Sequence, residues 1–243
     1  MTSQTTRRQD LAGKVAVITG ASRGIGRAIA LNLLSRGCSI LGTCSSDLNM
    51  PLITSLSPPS PLSTSSQTNT PKIIGISASI LSPTCALTIA STLETHFNSK
   101  LDIFINNASD SRPGILGELS VQEIQESLIS NIQTPVLIVD ELVKRKMFQP
   151  ESRIVYISSV RSRQPWEKQL LYAAGKSAGE SLCRTWSQAF GGREERVSLK
   201  FFVCSEFSIF DACIAMLCFV LRGVCCIADE FSSRSWLARR PMQ

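Results

Sequence analysis

The chain has 243 residues, enough for one substantial domain and short for two. Its apolar fraction of 43% and charged fraction of 18% are those of a soluble globular protein and exclude a disordered or fibrous one. The net charge of +6 comes from basic residues scattered along the chain, with no dense or aromatic-interleaved run, which argues against a nucleic-acid partner.

Residues 1–10 carry a basic pair, Arg7 and Arg8, with no apolar stretch behind it, so they read as a flexible N-terminus and not as a secretory signal. Residues 15–19 are a continuous apolar run of the kind found in a strand buried on both faces. A glycine turn at 20–26 leads into a helical pattern in which Ile25, Ile29 and Leu33 share a face and Gly37 is the stop. Residues 39–44 read as the second strand. Strand, glycine turn, helix and strand make a βαβ unit and predict a doubly wound α/β fold. Residues 53–71, with four prolines among serines and threonines, read as an irregular loop.

Beyond it, 73–76 is a strand, 84–97 a helix, and 101–105 a strand. A long helix is expected over roughly 121–146, kinked or broken at Pro135. A fifth strand follows at 153–157 and a helix at 172–190. The pattern then stops. Nine cysteines, none in a C-x-x-C pair, read as reduced thiols, and five of them lie after Val203. The single histidine, His96, cannot build a metal site alone, so no metal is expected. The ten apolar residues at 212–221 fall short of the roughly 18 that span a bilayer. No membrane association is expected, and the location is read as cytoplasmic.

The chemistry is concentrated in a few residues. Gly20, Gly24 and Gly26 allow a sharp turn and close approach of a ligand, and the helix start offers free N–H groups to a pyrophosphate. Packing alone explains such a turn equally well. Tyr172 and Lys176, four apart on a helix, share a face. A phenol ionises near pH 10 in water, and a fixed positive charge beside it favours the phenolate and suits it to proton transfer. A lone pair of this spacing is more often an exposed amphipathic pair. Ser159, just after the fifth strand, is where an open α/β sheet places its ligand.

Thr19-Gly-Ala-Ser-Arg-Gly-Ile-Gly26, Asn106-Asn-Ala108, Asn131, Ile157-Ser-Ser159 and Tyr172-x-x-x-Lys176 occur in the order and spacing of the short-chain dehydrogenase/reductase superfamily. The resemblance covers roughly 11–196; residues 35–47 are similar to 3-oxoacyl-carrier-protein reductases, and 186–196 resemble reductases of fungal secondary metabolism. It implies a Rossmann-type parallel sheet with helices on both faces. It also implies a keto reductase or alcohol dehydrogenase acting on a small-molecule ketone or alcohol, with a homodimer or homotetramer as the assembly.

Residue by residue, the resemblance makes Tyr172 the proton donor and Lys176 its modulator and the holder of the nicotinamide ribose. Ser159 would polarise the carbonyl, and Asn131 would anchor a proton-relay water. Asn107 would lie against the cofactor, with Gly20, Ser22, Arg23, Gly24, Ile25 and Gly26 around its phosphates. Ser158 is set aside because the spacing to Tyr172 selects Ser159. The second strand ends in Cys44-Ser45-Ser46 with no acid before Asp47. With Ser45 and Ser46 there and Arg23 close by, the cofactor is read as NADP.

Three departures stand against the family. Ser79 replaces a usual aspartate, Ser109 a usual glycine, and no Pro-Gly pair follows Lys176. The expectation is therefore an atypical tail over 197–243, with C-terminal strands altered or missing. Its alternative is that 201–203 and 224–228 still supply buried strands. The second functional reading is a catalytically impaired relative that binds cofactor or partner without turnover.

Overall fold

Four apolar residues in succession, with no polar alternation, fit a strand covered on both faces. Val15–Ile18 form such a strand, β1, with every residue buried. The computed structural model describes residues 10–56, 70–164, 166–193 and 196–204. In it β1 leads through the glycine turn into α1 (Gly24–Ser35) and then β2 (Ser39–Cys44). A short helix α2 (Pro51–Thr54) starts within the stretch read as a loop, with Pro51 at its first turn, where a missing N–H costs nothing. Then come β3 (Ile73–Ser77), α3 (Cys85–Phe97) and β4 (Leu101–Asn106).

The long helix expected over 121–146 is three pieces: α4 (Val121–Leu128), a π turn (Ile129–Gln133) and α5 (Thr134–Lys144). Ser120 and Glu123 close a reciprocal capping box that starts α4. Pro135 has no N–H for the carbonyl of Asn131, and the Thr134 N–H bonds back to Ile129 across a five-residue step. The break thus falls just before the proline that motivates it. The chain continues with β5 (Phe148–Ser159), α6 (Leu170–Gly191) and β6 (Ser198–Cys204).

The six strands are parallel in the order β3-β2-β1-β4-β5-β6. The order reverses direction between β1 and β4. One core layer gathers Val17, Phe104 and Ile154 under α3, α5 and the end of α6; the other gathers Ile18, Ile105 and Ile157 under α1 and α2. The doubly wound parallel sheet is therefore present. The tail expectation needs one correction. Ser198–Cys204 form a regular strand paired with β5 from Arg153↔Ser198 to Ser159↔Cys204, so the sheet runs past the boundary drawn at 197. Apolar Phe201, Phe202 and Val203 explain it, since a strand needs only a local run of such residues. The stretch 224–228 lies outside the described residues. No helix among the described residues is long and apolar enough to cross a membrane.

Candidate active site

Ligands of open α/β sheets sit beyond the carboxyl ends of the strands, where the order reverses. A cavity of about 230 Å³ opens at that place in this fold. Ser159, Tyr172 and Lys176 line it together with Ile25 and Asn107, so residues 151 positions apart in the chain meet at one site (25 to 176). Ser159 arrives at the last position of β5 and accepts a hydrogen bond from the Arg161 amide, 3.2 Å away. Tyr172 and Lys176 lie on the first turns of α6. Lys176 is buried, its Nζ donates to the Ile157 carbonyl at 2.7 Å, and it stands 5.4 Å from the centre of the Tyr172 ring.

Asn131 lies behind this group and does not line the cavity. Its amide grips the backbone of Asp110 from both sides: the Asp110 N–H donates to Oδ1 at 2.9 Å, and Nδ2 donates to the Asp110 carbonyl at 3.0 Å. Nδ2 also donates to Ser127 at 3.1 Å. A Cβ at Gly175 would meet Asn131 Cβ at 2.7 Å, so α6 packs directly on the π turn. Asp110 is itself held by Arg112, which also bridges to Glu126 at 2.8 Å. Burial pushes the Asp110 carboxyl up, but the Arg112 hydrogen bonds outweigh it and leave the group below its ordinary range.

The glycine turn fits a pyrophosphate. Gly20 and Gly24 have φ of 69° and 55°, where side chains are strained. Nothing lies within 4 Å of a Cβ built on Gly24, whereas one on Gly26 would meet the Gly20 carbonyl oxygen at 2.2 Å. At α1 the Arg23 side chain makes no capping bond and the first turn holds no acid, so the field of the helix start is open to an anion. Asn107 closes the turn from the β4 side, its Nδ2 donating to the carbonyls of Thr19 at 3.0 Å and Gly20 at 3.2 Å. Ser22 is buried in the turn and Arg23 is exposed. Beyond β2, Ser45 is exposed and Ser46 half-buried, while Asp47 begins a separate helical turn three residues past the strand end.

Other contributors were not among the residues to which the sequence assigned a role. The hydroxyl of Thr19 accepts from the amides of Asn107 and Ala108 at 2.9 and 3.0 Å, tying β1 to β4 under the site. Ser109, Ser111, Ile157, Ser158, Arg161 and Gln169 complete the cavity wall. Gly114 bridges Gln169, its N–H bonding the Lys168 carbonyl at 2.9 Å, which fastens the loop after β4 to the start of α6. The Ser158 hydroxyl donates to buried Glu180 at 2.6 Å.

The short chain dehydrogenase family model matches residues 14–201. L-xylulose reductase of Aspergillus niger is 35% identical over 194 residues, covering 74% of this chain and 63% of that protein. For 3-oxoacyl-acyl-carrier-protein reductase of Escherichia coli the identity is 28% over 165 residues, covering 68% and 62%. The chain thus spans a little under two thirds of the length of these curated relatives. A short chain dehydrogenase from Burkholderia cenocepacia, solved in complex with NADP, superposes with a TM-score of 0.67 at 26% identity, covering 79% of this chain and 74% of that one.

Proposed function

Because the chain belongs to the short-chain dehydrogenase family, we propose that it is an NADPH-dependent carbonyl reductase in which Tyr172 gives the proton to the substrate oxygen. The observation that carries this reading is the meeting of Ser159, Tyr172 and Lys176 on one cavity that also reaches the glycine turn through Ile25 and Asn107. When bound, NADPH would be the source of the hydride that reaches the carbonyl carbon. Tyr172 passes its hydroxyl proton to the oxygen, so that C=O becomes CH–OH and a phenolate remains. The buried Lys176 ammonium beside the ring stabilises that phenolate. Ser159 donates a hydrogen bond to the carbonyl and polarises it. Asn131 holds the Asp110 segment and the π turn in place against α6. Ser22 to Gly26 would hold the cofactor's phosphates, and Arg23 with Ser45 and Ser46 would hold the 2′-phosphate.

The cavity wall mixes the polar groups of Ser109, Ser111, Gln169 and Arg161 with apolar Ile25 and Ile157. The polar groups offer hydrogen-bond partners to a hydroxylated ketone, in line with the relative named for a ketose. The resemblance of residues 186–196 to reductases of fungal secondary metabolism supports a role in such a pathway. Purified protein with NADPH and a panel of ketoses, simple ketones and ketoacyl thioesters tests the proposal by loss of NADPH absorbance. Tyr172→Phe is expected to lower turnover by about 10²–10⁴-fold with NADPH affinity nearly kept. Retention of activity in that variant would refute Tyr172 as donor, and NADPH binding without reduction of any ketone would favour a binding protein without turnover.

A further inference from the structure

We propose that Tyr156, on β5 and outside the cavity wall, is a positioning residue for Lys176, its ring face holding the ammonium in place beside Tyr172. The proposal rests on Tyr172 and Lys176 being the proton-transfer pair. An ammonium as buried as that of Lys176 needs compensation from its surroundings. The Ile157 carbonyl supplies one hydrogen bond. Two ring faces flank the same Nζ, Tyr156 at 5.2 Å and Tyr172 at 5.4 Å from their centres, both within range of cation–π attraction.

The Tyr156 ring is fixed where it stands. It lies against α6 at Gly179, where a Cβ would come within 2.0 Å of its Cζ, and its hydroxyl reaches the Gly175 carbonyl at 3.4 Å. A buried strand position next to Ile154 and Val155 would accept an aliphatic residue for packing alone. Only an aromatic ring presents a negative face to the cation. Because the ring is wedged between strand and helix, the ammonium finds that face already in place.

Neighbouring ionisable groups are Glu180 and Cys183 on α6, which act on Tyr156, and Arg161, which shares the cavity wall with Lys176. All are unchanged in the variants below, so differences among those report the ring alone. The chain has only two tyrosines, and burial pushes the Tyr156 phenol well above its ordinary range. With position 156 changed, ultraviolet difference absorbance follows the ionisation of Tyr172 by itself.

The experiment replaces Tyr156 with phenylalanine and then with difluoro- and trifluorophenylalanine, which keep the ring shape and weaken its face stepwise. Two quantities are read in the full chain, the midpoint of Tyr172 ionisation and the affinity for NADPH by fluorescence. Tyr156→Phe should retain the NADPH affinity of the unaltered chain. Across the fluorinated series the Tyr172 midpoint should climb by up to about one pH unit and NADPH should bind up to about tenfold more weakly. Identical midpoints and affinities across the series would overturn the proposal. A flat series in a protein whose ketone turnover depends on Tyr172 removes this inference alone; a graded series in a protein that reduces no ketone supports it and removes the reductase reading instead.

Discussion

Arg23 stands at the head of α1 with an extended backbone and an exposed side chain, and the second strand is followed by two serines. A cation so placed attracts a 2′-phosphate, and no carboxylate before Asp47 repels one. Arg23→Ala should therefore weaken NADPH about tenfold, roughly the 1.5 kcal/mol of a charge-assisted hydrogen bond, and leave NADH nearly unchanged. Fluorescence titration with both cofactors checks this, and equal losses would place the discriminating charge elsewhere. These residues were legible in the sequence because their spacing is local: a turn, a strand end, one helical turn from Tyr172 to Lys176. Ser109, Ser111, Arg161 and Gln169 were not. Their place on the cavity wall depends on how two loops cross at Gly114 and Gln169, a pairing over 55 residues (114 to 169) with no local pattern to announce it.

The π turn at Ile129–Gln133 is the element on which Asn131 depends. A wide turn is less favourable than an α turn, and here a proline two residues past its end withholds the N–H that an α helix would direct at Asn131. Pro135→Ala restores that donor and should let the turn tighten toward α geometry. The expected outcome is turnover reduced about tenfold or more by displacement of Asn131, with thermal stability unchanged or slightly raised. Unchanged turnover would show that the turn is held by its packing on Gly175 and not by the missing donor. The break itself was legible from Pro135, but its π character was not, since a missing donor can equally kink or end a helix. The start of β5 was hidden too. Gln149, Pro150 and Glu151 are poor strand residues, carried by pairing with β4 at Leu101 and not by their own preference.

At the scale of the whole molecule, the parallel sheet could be read from alternating strand and helix patterns, and its two apolar layers from continuous runs. β6 ran against expectation because a cysteine-rich context obscured an ordinary apolar strand. The buried thiols bear on stability as well. Burial pushes Cys38 and Cys183 up to about 12 and Cys85 up to about 11. Their unfolded counterparts ionise from about pH 9, so unfolding releases protons above that pH. The contribution is complete below about pH 9 and is lost as the pH rises through 11 to 12. The Tm should hold steady near neutrality and fall steeply above about pH 9, and Cys38→Ala with Cys183→Ala should soften that slope. An alkaline limb of the same slope in the double variant would assign the loss to other groups.

β5 has a further consequence. Between Leu101↔Phe148 and Ile103↔Arg153 its partner advances two residues while it advances five, and from Arg153 onward the pairing is regular on both sides. The irregularity thus works like the slack before a gear train. Residues inserted or removed at 149–152 can be absorbed there, upstream of the first engaged tooth. The same change after Arg153 would rotate every following side chain to the other face, turning Tyr156 and Ser158 away from α6 and carrying Ser159 off its place at the strand end. The strand thus has a latitude in length before Arg153 that it lacks after it.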